Sequence, residues 1–201
     1  MAKKIVLAVA ILIFIAVIAL FMINNTNTVD VYIDGENVSV ETRSLSNVDL
    51  QGMNQEICDF TTNVMDDSKT DANGLHEGIE NICAKYGFDK PTVNIDSSLG
   101  PNQIPVIVHV EGTSMLPTLQ DGQTVLMNKT HNIKVGDIVV AESDEYGGII
   151  KRVDRIDGNN VHLASDNKNV SYEYINGVLY EVKGVTTWVD ISDIDGVVID
   201  F

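Results

Sequence analysis

Residues 111–122 read EGTSMLPTLQDG and residues 147–156 read GGIIKRVDRI. The first stretch carries a serine in a segment without helical period. The second carries a lysine in a strand-like run. Serine is a poor nucleophile until a base takes its proton. The candidate bases are His109, His131, His162 and the lysines. A lysine serves only as a neutral amine, which requires apolar burial to bring its pKa from about 10.4 to roughly 7–8. Alternate residues of a strand share a face, so Lys151 shares its face with Ile149 and Val153, both apolar and β-branched. Arg152 is expected to point the other way, into water. Lys129, Lys134 and Lys168 fall in turn-like, polar settings. Together, about 37 residues apart in the same β-rich region, Ser114 and Lys151 are only suggestive of a lysine-activated serine. Taken singly, each has a plainer reading: a polar turn residue, and a lysine reaching out from a sheet edge.

Both stretches need a sheet to hold them. From 105 onward VIVHVEG, QTVLMNK, DIVVAES, GGIIKRVDRID, NNVHLAS and GVLYEVKGVTTWV are short β-rich runs between Gly, Asp and Asn. They predict a β domain over 105–201 with six to eight strands. Residues 24–104 differ. VDVYIDGENVSVET (29–42) alternates around an Asp34-Gly35 turn and predicts a hairpin. Residues 49–65 and 73–87 predict helices; in the second, Leu75, Ile79, Ile82, Cys83 and Tyr86 share one face. The Pro- and Ser-containing stretch 89–105 reads as a boundary.

Residues 5–23 are 19 consecutive apolar residues behind Lys3 and Lys4. That is long enough for a helix to cross a bilayer core. The large residues at its exit suit an uncleaved anchor better than a cleaved signal, and the two lysines place the N-terminus in the cytoplasm. The domains are then 1–23, cytoplasmic N-terminus and anchor; 24–104, an extracytoplasmic α+β extension; and 105–201, the β-rich domain. The net charge of -16 excludes nucleic acid held by a general positive field. Cys58 and Cys83, both in helix-like segments, are read either as a disulfide or as two buried thiols. Two cysteines without CxxC spacing or a nearby histidine cluster give no metal site.

The arrangement resembles the type I signal peptidases, serine–lysine membrane peptidases that share a fold with the self-cleaving LexA-type repressors. GTSMLPTL (112–119) is similar to their Ser-Met-x-Pro-Thr-Leu box, VGDIVV (135–140) to the strand after it, IIKRV (149–153) to the lysine box, and SDNKNVS (165–171) to the Gly-Asp-Asn box with Ser165 for Gly. The four occur in the family's order, behind an anchor. The resemblance implies a mainly β catalytic domain after a transmembrane helix and a small α+β segment. It implies Ser114 as nucleophile and Lys151 as base, with Ser171 orienting the lysine amine and Asp166 and Asn167 holding the loop. Met115 and Leu116 would be apolar surface facing the bilayer. Gly112 stands where many members carry a serine that donates to the oxyanion hole, with Thr113 or the backbone as its substitute. No cofactor is implied. The implied partners are the bilayer, preprotein substrates and the export machinery. Three alternatives stay open: a peptidase specialised for one surface protein, a chain that cleaves only itself, and a non-catalytic anchored ectodomain that binds a partner.

Overall fold

The computed structural model describes residues 12–17, 27–44, 47–67, 69–169, 171–175, 178–182 and 184–200, with the backbone alone for 171–182 and 200. Of the expected anchor, 5–23, only 12–17 lie within the described residues; they are helical, and Leu12, Ile13, Phe14, Ile15 and Val17 are exposed. Among the described residues no helix is long and apolar enough to cross a membrane.

The extension begins with strands β1 (Thr28–Ile33) and β2 (Val38–Arg43), the hairpin expected from the Asp34-Gly35 turn. Helices α1 (Leu50–Asp66) and α2 (Ala72–Lys85) follow. Each opens on an aspartate cap: Asp49 accepts from the Gly52 N–H, and Asp71 from the Asn73 and Gly74 N–H groups. Such caps satisfy N–H groups that the helix itself leaves unpaired. Strand β3 (Thr92–Ser97) then returns parallel to β1, giving the order β2-β1-β3. This strand lies inside the stretch read as a boundary. TVNIDS is short and half exposed, and its pairing with β1 overrides the turn signals around it. Both helices pack Met53, Ile57, Leu75, Ile79 and Cys83 against Val29, Val31 and Ile33 of the sheet.

Cys58 and Cys83 are both free thiols. Cys83 is sealed in this core, while Cys58 donates to the Val38 carbonyl at 3.7 Å. Each thiol is committed to its own surroundings, so the disulfide reading is corrected to two thiols.

The β domain holds β4 (Pro105–His109), β5 (Thr124–Asn128), β6 (Ile138–Ser143), β7 (Gly147–Asp157), β8 (Asn160–Ala164), β9 (Ser171–Ile175), β10 (Val178–Val182), β11 (Thr186–Asp190) and β12 (Ile194–Asp200). Seven form one antiparallel sheet in the order β11-β8-β7-β6-β12-β5-β4, and β9 and β10 form a separate hairpin. The nine strands among the described residues exceed the expected six to eight. The run GVLYEVKGVTTWV divides into β10 and β11, and β12, interrupted by Gly196, gave no clear alternation. The chain's last strand inserts between β5 and β6, so the middle of the sheet closes late in the sequence.

Two cores lie against this sheet. One gathers Val139, Ala141, Val153, Val161, Leu163 and Ile194; the other gathers Val110, Met115, Leu119, Val125, Ile138 and Val198. The extension meets the β domain along β4 and β5: Ile104 is buried in the extension's core, and the buried Lys129 amine donates to the Asp67 carbonyl at the end of α1.

Candidate active site

Ser114 sits in a tight loop between β4 and β5. The Leu116 N–H donates to the Thr113 carbonyl at 3.2 Å, and the Thr118 and Leu119 N–H groups donate to the Met115 carbonyl at 2.8 and 3.0 Å. Met115 and Leu119 are buried beneath the loop and anchor it to the second core. Met115 is therefore corrected: it is 1% exposed and forms the floor under the serine rather than a bilayer-facing surface. Leu116 is half-buried.

Lys151 lies on β7, opposite Val139 of β6. The strand alternation places its side chain with buried Val153 and half-buried Ile149, and the lysine itself is 6% exposed. Its Nζ lies 2.9 Å from Ser114 Oγ and 2.9 Å from the Ile150 carbonyl. Burial holds the amine below the ordinary lysine range, because a buried ammonium loses its hydration. Among the described residues no carboxylate hydrogen-bonds to it to push it back up.

Arg152, expected in water, is corrected. Its Nε and Nη2 grip Asp166 at 2.7 and 2.6 Å, and its Nη1 donates to the Gly136 carbonyl at 2.6 Å. Asp166 also accepts from Thr118 Oγ1 at 2.5 Å, and the Arg152 guanidinium above all holds its carboxyl below the usual carboxylate range. The Asn167 N–H donates to the Ser114 carbonyl at 2.9 Å, and Asn167 Nδ2 to the Thr113 carbonyl at 2.9 Å. The Asp166-Asn167 segment thus grips the serine loop from one side while Arg152 ties the same segment to the lysine's strand. Arg152 and Lys151 are neighbours with opposite tasks: one holds the scaffold, the other faces the serine.

The remaining candidates are placed as follows. Thr113 is exposed, and its carbonyl is the part of it that is engaged. Gly112 adopts φ +85°, a conformation that side-chain-bearing residues avoid, and its N–H donates to Asp121 Oδ1 at 2.7 Å. That backbone accounts for a glycine where other members of the resembled family carry a serine. Among the described residues the Ser114 N–H has no hydrogen-bond partner, so it is free to donate to a bound oxyanion. Ser171 opens β9, but its side chain lies outside the described residues. His109 contacts Thr124 Oγ1 at 3.2 Å; His162 pairs with Asp154 at 2.9 Å and packs on Trp188.

Lys129, expected in a turn-like polar setting, is 4% exposed, with its amine also lowered by burial. The signal was present: Val125, Met127 and Lys129 alternate on one buried face. No serine faces it. Its amine is bound to the Asp67 carbonyl and feels the Asp195 carboxylate, so it clamps the extension to the sheet.

A cleft of about 360 Å³ opens beside Ser114, lined among others by Val108, Val110, Met115, Val140 and Ile150 with Lys151. Two strand edges flank it. On β4, Val110 exchanges hydrogen bonds with the β5 side, so by alternation Ile107 and His109 turn their backbone groups away from the sheet. On β7, pairing with β8 begins at Arg152, so Gly148 and Ile150 have no β8 partner, and the Ile150 carbonyl accepts from Lys151 Nζ instead. Open edges beside a nucleophile accept an extended peptide as an added strand.

The family model described as Peptidase S24-like matches residues 63–187, which contain Ser114, Lys151 and the whole cleft. The chain belongs to the Peptidase S24-like family. That family includes signal peptidase I and the LexA-type proteins. The mainly β fold described above, with its curled sheets, is consistent with that family. As a Peptidase S24-like protein, the chain falls among serine peptidases and LexA-like self-cleaving proteins. The Peptidase S24-like match begins within α1, so it takes in part of the extension as well as the β domain. No curated protein matches the chain.

Proposed function

We propose that the chain is a membrane-anchored serine endopeptidase that removes signal peptides from exported preproteins on the outer face of the membrane. The observation that carries this reading is the 2.9 Å approach of a buried lysine amine to Ser114 Oγ, in a cleft lined by residues of β4 and β7. Lys151, in its neutral form, takes the Ser114 proton as Oγ attacks the scissile carbonyl carbon. The Ser114 N–H donates to the developing oxyanion. The ammonium then passes its proton to the leaving amine. Water, deprotonated by the same amine, hydrolyses the acyl-enzyme. The small apolar lining of Val108, Val110 and Val140 suits small side chains before the cut, as the resemblance to signal peptidases implies. Residues 5–23 supply the anchor, which raises the effective concentration of membrane-held substrate at the cleft.

A second reading, a peptidase specialised for one exported protein, is favoured by the extension clamped against the edge strand β4. The deciding experiment offers the full chain, in lipid vesicles, several unrelated preproteins with small-residue sites. Cleavage of most of them supports general processing. Cleavage of one alone supports the specialised reading. Shortening of the chain by itself, with every preprotein intact, replaces both with self-cleavage.

A further inference from the structure

The tip of the β1–β2 hairpin reaches the same strand edge that borders the cleft. The Ile107 N–H, turned away from the sheet on β4, donates to the Gly35 carbonyl at 3.3 Å. Gly35 adopts φ +109°, and a Cβ there would lie 3.3 Å from Ile107 Cγ1 and 3.4 Å from Leu126 Cδ1. A glycine is needed for both reasons: the backbone conformation and the closeness of β4.

The tip is held rigidly. Asp34 Oδ1 accepts from the Glu36 and Asn37 N–H groups at 2.9 and 2.7 Å. The Asp34 N–H donates to the Asn37 carbonyl at 3.2 Å, and the Asp34 carbonyl accepts from Ser98 Oγ at 3.3 Å. The base of the hairpin is fixed as well, since Val29, Val31 and Ile33 lie in the extension's core and the Lys129 amine clamps that unit to β5. A preformed turn on a fixed base is a stop rather than a moving flap.

We propose that this tip sets the length of substrate held as a strand. By occupying the Ile107 N–H it closes the β4 edge at one end, leaving the stretch from Val108 to Glu111 beside Ser114. Successive strand residues advance about 3.3 Å, so the span from Ile107 to Glu111 is about 13 Å and accommodates about four substrate residues on the acyl side of the cut. Residues farther upstream must leave the sheet at Gly35. The inference rests on the peptidase reading above and assigns the extension a role in choosing substrates.

The test is cleavage by the full chain in detergent of peptides lengthened one residue at a time before the cut. In the wild type, kcat/KM is expected to climb until about four residues precede the cut and then level off. Gly35→Val should displace the tip through its backbone and its contact with Ile107. Asp34→Ala should loosen the tip without touching the core, and covers the case in which the first variant folds poorly. Hydrogen exchange at the Ile107 amide reports whether the tip has moved. With the tip displaced, longer peptides should gain at least threefold more in kcat/KM. A wild-type series that keeps climbing, or a displaced tip with an unchanged plateau, overturns the stop while leaving the peptidase reading intact. Absence of cleavage at every length removes the peptidase reading and the stop with it.

Discussion

Lys151 Nζ lies 2.9 Å from Ser114 Oγ, and the lysine reaches it from a strand whose next residue, Arg152, is tied to the loop that grips the serine. The nucleophile and its base are therefore positioned by one connected framework. Thr118 of the serine loop and Arg152 of the lysine strand share the Asp166 carboxylate. A displacement of the serine loop or of the lysine strand would be felt at the 2.9 Å contact.

Replacing Ser114 by Ala or Lys151 by Ala is expected to lower cleavage by about 10³-fold or more, because nucleophile and base act as a unit. The double variant should lose little beyond either single one. Initial rates on a test preprotein, with circular dichroism as the check on folding, measure this.

The lysine should also set the pH dependence. Burial lowers its pKa, so the neutral amine appears at a lower pH than for an exposed lysine. The acid limb of kcat/KM against pH should rise with an apparent pKa below about 10.4. The same shift has a stability consequence. Between the lowered folded pKa and the unfolded value of about 10.4, the unfolded chain binds the proton and the folded chain does not. The burial therefore costs stability as pH falls through that window. Lys151→Met should melt higher than the wild type at neutral pH, with the gap closing as pH approaches about 10.4. Melting temperatures across that range check it; a variant that melts lower at neutral pH contradicts it.

Asp166→Asn keeps the shape of the loop and removes the charge facing Arg152. The expected loss is about 1–3 kcal/mol in stability, accompanied by a fall in kcat as the serine loop loses its grip. In the wild type the Asp166 carboxylate is held low by Arg152 first. Its contribution is present above the unfolded value of about 3.9 and is lost as pH falls through the lower folded one. Denaturant titrations of both chains at neutral and acid pH should converge at the acid end.

The two thiols give a compositional test. Burial pushes Cys83 up to about 11, so it should resist alkylation in the native state, while half-buried Cys58 reacts faster. Mobility on a denaturing gel should be the same with and without reductant. A shift on reduction would reveal a disulfide.

Much of the site was legible because strand alternation is local. Ile149, Lys151 and Val153 announce a shared buried face within five letters, and Gly-bounded runs announce the sheet. Long-range partners were not legible. Nothing beside Arg152 in sequence signals Asp166, whose carboxylate draws the guanidinium from water. Met115 reads as exposed apolar surface until the curl of the sheet brings Val125 and Val198 against it. Strand β3 depends on pairing with β1, more than sixty residues earlier in the chain, and no short-range pattern carries that. Lys129 is the instructive case, since the alternation that identified Lys151 marks it equally. Only the tertiary fold gives one lysine a serine and the other a helix carbonyl.

The most direct test of the dyad replaces the amine chemically. In a Cys58→Ser background, Lys151→Cys should be inactive, and aminoethylation of the new thiol restores a primary amine at nearly the lysine's reach. The expected result is recovery of cleavage by at least 100-fold over the unmodified variant, with an acid limb shifted to follow the new amine's pKa. Wild-type cleavage by Lys151→Met, or no recovery in a folded, fully aminoethylated chain, would contradict Lys151 as the base that activates Ser114.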